Sequence, residues 1–467
     1  MLSCTEKSFV PQIVLDTNSA AFVLPFNAGR GVPVHSFRLA LIAAALILFG
    51  ASSGYGAGFA MYEYGARGNA LGGGLVGRAD DPSALAYNPA GITQLEGTGF
   101  MAGFTTINPE ASVEIDGTTY DAESKFWTPP HLYATQQLND TFWLGFGVYS
   151  RYGLGIEYDE NWAGRYNVYE ANIQSLSMSP TLAVKVTDWL SVAAGPEIMW
   201  FEFSQKKKVD PTVVAGTTSL ATDVDAQLDG DSWGYGGVAS IHITPADWLR
   251  LGATYRSQVK QEVKGEVDFT KGATPLGLAA YYSSMFNDTD ASGTITLPDS
   301  YTFGVAVYPT DKLSLEFDAI YTRWSSYDEL KIEYDKAVVP AIGGNPAVNS
   351  YESQKDWDDV WRFQFSAEYA LLAWLDLRAS YVFDESPIPD GHADYMVPAN
   401  DRHMFGVGTG FHITENLDVD LAYNYLHITD RKFNPTAEQS DENVAGSSNT
   451  FKNGHAHMYA LSVGYRF

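Results

Sequence analysis

The sequence is poor in cysteine and in basic residues. It has 467 residues, of which one is a cysteine, and 29 basic against 56 acidic residues give a formal net charge of −27. A single cysteine cannot form an intramolecular disulfide, so the fold is not stabilised in this way. The acidic balance disfavours binding to nucleic acid or to anionic surfaces through net charge. We therefore expect no nucleic-acid partner.

Long apolar runs are also missing beyond the first fifty residues. No stretch there approaches the ~18 uninterrupted apolar residues that a membrane-spanning helix needs. Yet the chain is 14% aromatic and only 18% charged. Both facts suit a membrane β-barrel, because half of each strand faces lipid and half faces the lumen.

The one apolar run near the amino terminus covers residues 39–50. An arginine precedes it and small residues follow it through Gly56, which is the arrangement of a secretory signal peptide. We expect residues 1–56, with the cysteine, to be removed by cleavage after Gly56. The long stretch ahead of the run also fits a start assigned too early, with translation beginning near Val32 or Val34.

The carboxy-terminal residues alternate strictly. Phe467, Tyr465 and Val463 share one face of a strand, and Arg466 and Gly464 share the other. Such a period of two, with an apolar outer face and an inner face of small or polar residues, is typical of a lipid-facing barrel strand. The terminal aromatic also resembles the signal that the barrel assembly machinery of outer membranes reads, so we expect that machinery as a partner.

Short turns and long loops alternate along the chain. Six tight turns lie at residues 139–140, 187–188, 246–247, 310–311, 370–373 and 415–416. Seven longer polar connections lie near residues 108–129, 150–172, 209–230, 270–292, 328–355, 384–399 and 430–453. Short turns on one side of the membrane and long loops on the other are typical of outer-membrane barrels. The count predicts fourteen antiparallel strands over residues 98–467.

Residues 57–97 do not follow this rhythm and are rich in glycine and alanine. Gly72, Gly74 and Gly77 match a G-x-G-x-x-G spacing. The preceding strand and the βαβ unit of a dinucleotide site are missing, however. We therefore predict no cofactor in this segment.

Several short motifs occur together in the chain. They are Ala79-Asp-Asp-Pro-Ser83, Asn88-Pro-Ala-Gly91, Arg151-Tyr-Gly-Leu-Gly155, Asn161-Trp-Ala-Gly-Arg165, Tyr321-Thr-Arg-Trp324 and Pro398-Ala-Asn-Asp-Arg402. In these motifs the chain resembles the FadL-type family of outer-membrane long-chain fatty acid and hydrocarbon transporters (OmpP1/FadL/TodX). The resemblance implies a monomeric all-β transmembrane barrel whose lumen is plugged by a mostly helical hatch (residues 57–97). It also implies passive transport, in which hydrophobic molecules are captured on extracellular loops, bound inside, and released sideways through the wall.

Two long loops carry apolar residues that suit such a capture site. They are Leu278, Tyr281, Tyr282 and Met285 in one loop, with the spacing of one helical face, and Val213, Val214 and Leu220 in the other. The alternative is that the two loops bury each other's apolar side chains.

An anionic headgroup inside the barrel needs a cation. Arg402 and Arg151 alternate inward, and Arg165 lies in a long loop. The resemblance supports a headgroup role most clearly for Arg402. The alternative is an arginine–carboxylate network that holds the hatch in place.

Two further sets of residues are expected to form the exit. Asn88, Pro89 and Ala90 lie just ahead of the first strand, where they would sit inside the barrel near its wall. We expect the Asn88 side chain to bridge to backbone groups exposed where a wall strand is kinked. Gly145 and Gly147 would permit such a kink in the third strand, where the resemblance places the wall opening. The residues alone do not decide which strand carries the wall opening.

No catalytic or metal-ligating set emerges from the sequence. Its histidines show no i,i+4 pair on a predicted helix, as a zinc hydrolase motif requires. We predict a transporter rather than an enzyme, for fatty acids or for aromatic or aliphatic hydrocarbons. The alternatives are an outer-membrane lipid hydrolase, which needs a Ser–His pair at the rim, and a structural or adhesive barrel. Lipopolysaccharide and membrane lipids are expected partners, through residues 206–208 and Arg323.

Overall fold

The computed structural model describes residues 58–211, 221–275, 279, 282–341, 346–433 and 448–467. Within these ranges, helices long and apolar enough to cross a membrane are absent. Twenty-one β-segments form a single antiparallel sheet. The predicted signal peptide and the loop residues Val213, Val214, Leu220, Leu278 and Tyr281 lie outside the described residues.

The β-segments follow one another along the chain. They are β1 (Thr98–Ile115), β2 (Thr118–Asp121), β3 (Pro130–Gln137), β4 (Phe142–Tyr149), β5 (Gly153–Glu157), β6 (Glu170–Thr187), β7 (Leu190–Val209), β8 (Val224–Ala246), β9 (Leu249–Arg256), β10 (Val259–Thr270), β11 (Thr289–Leu297), β12 (Ser300–Thr310), β13 (Leu313–Thr322), β14 (Glu329–Tyr334), β15 (Ser350–Gln354), β16 (Val360–Leu372), β17 (Leu375–Asp384), β18 (Arg402–His412), β19 (Leu417–Ile428), β20 (Arg431–Phe433) and β21 (Asn449–Arg466).

These segments close into a ring of fourteen barrel strands. Around the ring the pairing order is β1, β3, β4, β6, β7, β8, β9, β12, β13, β16, β17, β18, β19 and β21, and β21 pairs back with β1. The other segments extend barrel strands or form hairpins beyond them. The six tight turns fall where the sequence predicts them, and the prediction of a closed fourteen-stranded barrel is confirmed.

Alternation along the strands separates lipid from lumen. Phe405 and Tyr459 are each 52% exposed on the outer face, whereas their neighbours Met404 and Met458 are buried. On β16, the buried Arg362 likewise lies next to the exposed Trp361. An arginine at such an inward position avoids the roughly 2–4 kcal/mol that a charge costs when it faces lipid at mid-depth.

The hatch lies inside this ring. It contains two short helices, α1 (Ala66–Ala70) and α2 (Ala84–Tyr87), and the 3₁₀-helix η1 (Pro89–Gln94). It is therefore less helical than the resemblance implies, because turns connect these pieces. Further 3₁₀ turns lie in the extracellular loops, at Tyr282–Ser284, Trp324–Ser326 and Asp390–His392.

Buried ion pairs join the hatch to the wall. Arg78 Nη1 lies 2.9 Å from Glu316 Oε2 on β13, and both side chains are fully buried. Arg78 also donates to Ser314 Oγ and Ser366 Oγ. Arg67 contacts Asp80, Asp81 and Glu368, so its charge is shared among three carboxylates.

Candidate functional site

A cavity of about 610 Å³ lies between the hatch and one side of the barrel. Its volume falls within the ~300–1,000 Å³ that ligand pockets usually enclose. Hatch residues Met61 and Glu63 form part of its floor, and apolar side chains such as Met458 line its wall. We call this space the lumenal cavity.

The wall is open where the lumenal cavity meets the second and third strands. β3 and β4 pair from Gln137–Trp143 to Leu132–Val148. Beyond Leu132 and Val148, the next backbone hydrogen bond between the described residues of the two strands is the one that Glu123 N donates to Glu157 O, at 2.7 Å. We call the opening between residues 125–130 and 150–156 the wall gap.

The lumenal cavity passes through the wall gap. Its lining includes Ile173 and Ser175, which face the lumen on β6. It also includes Leu176 and Trp200, which alternate with buried neighbours and so face outward. Because one cavity touches both faces of the wall, it connects the lumen to the lipid side of the barrel.

The wall gap arises because the third strand turns inward. Between β4 and β5 the chain leaves the wall, and Tyr152 forms a bridge to Ala60 of the hatch. Met61 N donates to Arg151 O at 2.8 Å, and Gly153 N donates to Phe59 O at 3.0 Å. Backbone groups that would pair with the second strand therefore pair with the hatch instead.

Gly145 and Gly147 lie below this break and face the lumen. A Cβ on Gly145 would lie 2.2 Å from Leu85 Cδ2 of α2, so this glycine makes room for the hatch. A Cβ on Gly147 would lie 3.2 Å from the rings of Tyr133 and Tyr149. The strand named by the resemblance carries the break, but the break begins at Ser150 rather than at these glycines.

Arg402 borders the lumenal cavity at the extracellular end of β18. Its Nη2 donates to Gly58 O of the hatch, and its Nε is buried without a hydrogen-bond partner among the described residues. The nearby guanidinium of Arg362 is paired with Asp384 at 2.8 Å. Within the described chain, Arg402 has no carboxylate partner of its own.

Arg151 differs from Arg402, because its charge is matched. Arg151 Nη1 lies 2.9 Å from Glu197 Oε2, and both side chains are buried. Arg256 contacts the same carboxylate at 3.4 Å and donates to the backbone carbonyls of Leu85 and Ala86. This arrangement is the network that holds the hatch, which the sequence left as the alternative.

Arg165 is also paired, at the extracellular rim. Its Nε lies 2.9 Å from Asp223 Oδ2. Burial raises the pKa of the neighbouring Tyr166 to about 12, and the hydrogen bond from its hydroxyl to Asp223 adds to this shift. The ion pair joins two extracellular segments and lies outside the lining of the lumenal cavity.

Asn88 occupies a different place from the one expected. Its Nδ2 donates to Val76 O at 2.8 Å and to Ile241 O of β8 at 3.1 Å. Pro89 and Ala90 open η1, and Ala90 N donates to Ser240 Oγ at 2.9 Å. The expected bridge from Asn88 to the kinked strand is therefore wrong, since the motif binds β8.

Tyr282 and Met285 are buried, 5% and 2% exposed. They form a cluster with Phe286 and Val224, which brings the two long loops together. For these two residues the structure favours mutual burial of the loops over an exposed stripe, and Tyr282 belongs to a 3₁₀ turn rather than an α-helix.

The cations expected at the rim have carboxylate or aromatic neighbours. Lys206 lies 2.9 Å from Glu170, and Lys208 lies 2.8 Å from Asp225. The ammonium of Lys207 lies 3.8 Å from the ring centroid of Tyr351. Arg323 is half exposed and contacts Asp299 at 3.4 Å.

Sequence reasoning missed an aromatic cluster above the hatch. The ring of Phe59 lies 4.8 Å from that of Trp324 and 5.7 Å from that of Trp357. It also missed Trp127, which lines the wall gap. The sequence did offer a signal for Trp127, because this aromatic residue lies just ahead of Pro129 and Pro130, where the second barrel strand begins.

The closed barrel, the hatch and the wall gap define a class of protein, the plugged outer-membrane barrels with a lateral opening. The family described as outer membrane protein transport protein (OMPP1/FadL/TodX) matches residues 47–467. The chain therefore belongs to this family.

Curated relatives cover most of the chain at low identity. The chain is 26% identical over 449 residues to a 47 kDa outer membrane protein of Pasteurella multocida, covering 92% of this chain and 99% of that protein. It is 24% identical over 433 residues to the long-chain fatty acid transport protein of Escherichia coli K12, covering 85% and 94%.

Solved structures share the fold. A FadL homologue of Pseudomonas aeruginosa superposes with a TM-score of 0.79 at 18% identity, covering 88% of this chain and all of that one. The toluene transporter TodX of Pseudomonas putida gives a TM-score of 0.66 at 18% identity, covering 86% and 98%.

Proposed function

We propose that this barrel carries hydrophobic molecules passively across the outer membrane, from the lumenal cavity through the wall gap into the lipid. The observation that carries the proposal is the continuity of one cavity from lumen to lipid face. A molecule that follows this path exchanges one apolar surrounding for another, so its transport requires no energy source.

Long-chain fatty acids are the substrates we favour. The guanidinium of Arg402 has no carboxylate partner in the described chain and faces a cavity whose wall is largely apolar. A carboxylate headgroup would supply the missing partner, while the acyl chain would extend toward the wall gap. A charge-assisted pair of this kind is among the stronger polar contacts in proteins.

Hydrocarbons are the second candidate, for a specific reason. The wall of the lumenal cavity is largely apolar, and two of its charged residues, Arg362 and Asp384, already pair with each other. An uncharged molecule leaves this ion pair undisturbed. Several solved neighbours are named toluene transporters and several curated relatives are named long-chain fatty acid transport proteins, so both classes occur among similar proteins.

Capture on the extracellular loops is part of the proposal. Tyr282 and Met285 would act there by holding the two loops together, since both are buried. The landing surface itself would be formed by other apolar residues at 209–230 and 270–292.

The test is uptake by cells that produce the protein compared with cells that do not. We expect faster uptake of a radiolabelled C16 fatty acid, of an alkane of equal length, or of both. We expect no gain for a small polar sugar. Faster uptake of the sugar would show an open aqueous channel, and release of fatty acid from added phospholipid would show a hydrolase. Either result would overturn the proposal.

A further inference from the structure

Trp127 crosses the wall gap. Its backbone is anchored to the first strand, because Ile107 N donates to Trp127 O at 2.7 Å and Trp127 N donates to Ile107 O at 2.9 Å. Its indole reaches the opposite side, where it lies on Gly155 of β5. A Cβ on Gly155 would lie 2.0 Å from Cζ2 of the indole, so only glycine fits beneath it.

The contact of Trp127 with the third strand is made by its side chain alone. Above it, Lys125 and Glu157 form an ion pair across the same two strands. Below it, the ladder resumes at Leu132 and Val148. A rotation of the indole about its side-chain bonds would therefore widen the wall gap without breaking a backbone hydrogen bond.

We propose that Trp127 determines which molecules leave through the wall gap, by limiting their cross-section. Trp127 lines the lumenal cavity together with the inward Ile173 and the outward Leu176, so its indole lies where this cavity passes from the lumen to the lipid side. An unbranched chain passes beside the ring, whereas a bulky group requires the ring to move away. This inference rests on the proposed function, because it concerns the exit step of that transport.

The experiment compares two probes of one chemistry, hexadecanoate and a fatty acid that carries a terminal pyrenyl group. Both have a carboxylate, so effects at Arg402 cancel. For Trp127→Ala we expect the uptake rate of the pyrenyl probe to rise relative to hexadecanoate by roughly tenfold, the scale on which a pocket discriminates by size. Equilibrium binding of both probes to the purified barrel should stay unchanged.

Two further variants make the test specific. Phe405→Ala removes an aromatic residue on the outer face of β18 that is 52% exposed and outside the lining of the lumenal cavity, so it should leave the ratio at the wild-type value. Gly155→Ala should raise the ratio, because the new Cβ displaces the indole. Combined with Trp127→Ala it should add nothing, since the obstacle is already gone.

The possible outcomes separate the two proposals. If the wild-type protein takes up neither probe faster than control cells, the proposed function fails. If it takes up hexadecanoate but the ratio is unchanged in Trp127→Ala and in Gly155→Ala at wild-type abundance, only the role of Trp127 fails. A loss of binding in Trp127→Ala would instead assign the residue to ligand binding. Trp127→Leu replaces the alanine variant if that barrel does not assemble.

Discussion

Removing Glu316 should release the hatch from the barrel wall. Its carboxylate accepts hydrogen bonds from Gly77 N at 2.5 Å and Arg78 N at 3.1 Å, and it is paired with the guanidinium of Arg78. Both side chains are fully buried. Glu316→Ala would leave a buried charge without its partner, which costs about 3–5 kcal/mol. At 1.4 kcal/mol for each factor of ten, the released hatch should become from about a hundredfold to a few thousandfold more populated.

The assay is swelling of proteoliposomes in a small sugar, which a seated hatch excludes. Glu316→Ala should increase the swelling rate while the barrel keeps its heat-modifiable migration on gels. Glu368→Ala is the matched control, because Arg67 keeps Asp80 and Asp81 and its charge stays paired. Equal swelling in both variants, or none in Glu316→Ala, would refute the reasoning. Arg78→Met combined with Glu316→Leu should restore the seal, since the buried guanidinium and its carboxylate partner are removed together.

Four further predictions concern single sites. Arg402→Ala should weaken fatty acid binding by about ten- to a hundredfold, roughly 1.5–3 kcal/mol, and spare an alkane, as measured by ligand titration; equal loss for both would assign the residue to the hatch. Asn88→Ala removes three hydrogen bonds, two that Nδ2 donates and one that Oδ1 accepts from Ala90 N, worth about 1 kcal/mol each, and should speed hydrogen exchange of η1 but not of β8. Burial, with Glu385 and then Asp384 nearby, raises the pKa of Asp401 to about 7. The folded loop around Asp401 therefore binds this proton more tightly than the unfolded chain does. The stability of this loop should fall as the pH rises from 5 to 8, as measured by hydrogen exchange corrected for the intrinsic exchange rates. Asp401→Asn should abolish this pH dependence. Intact mass of the mature protein should correspond to a chain that begins after Gly56.

The strand count and the two faces of each strand were predictable because they depend on local sequence. Trp361 and Arg362 are neighbours in the chain, and the period of two alone places one toward lipid and the other toward the lumen. The register then follows, because a shift by one residue would turn Arg362 toward lipid.

The partners of buried arginines were not predictable in this way. Arg151 and Arg402 both face inward, yet Arg151 is paired with Glu197 and Arg402 is left facing the lumenal cavity. The difference depends on which distant strand each side chain meets. The alternation of residues along a strand determines which face a side chain lies on, but it does not determine which residue that side chain contacts across the lumen.

The position of the wall gap was also beyond local reasoning. Glycines at 145 and 147 indicated a weak place in the third strand. The break lies farther along, at Ser150–Tyr152, because residues 59–61 of the hatch take the backbone hydrogen bonds of that segment. The contact of Asn88 with β8 likewise depends on how the hatch folds across the lumen.

The length of the strands on one side of the barrel has a consequence for the journey of the cargo. β8 has 23 residues, which at ~3.3 Å per residue and a tilt of ~40° rise roughly 55 Å, against an apolar band of only ~25 Å. Because the periplasmic turns are short, most of the excess stands outside the cell as a protein-walled shaft. A hydrophobic molecule that descends this shaft and leaves through the wall gap would bypass the hydrated, charged layer of lipid headgroups. On the proposed route, the barrel would thus carry its cargo past this layer without opening the layer itself to other solutes.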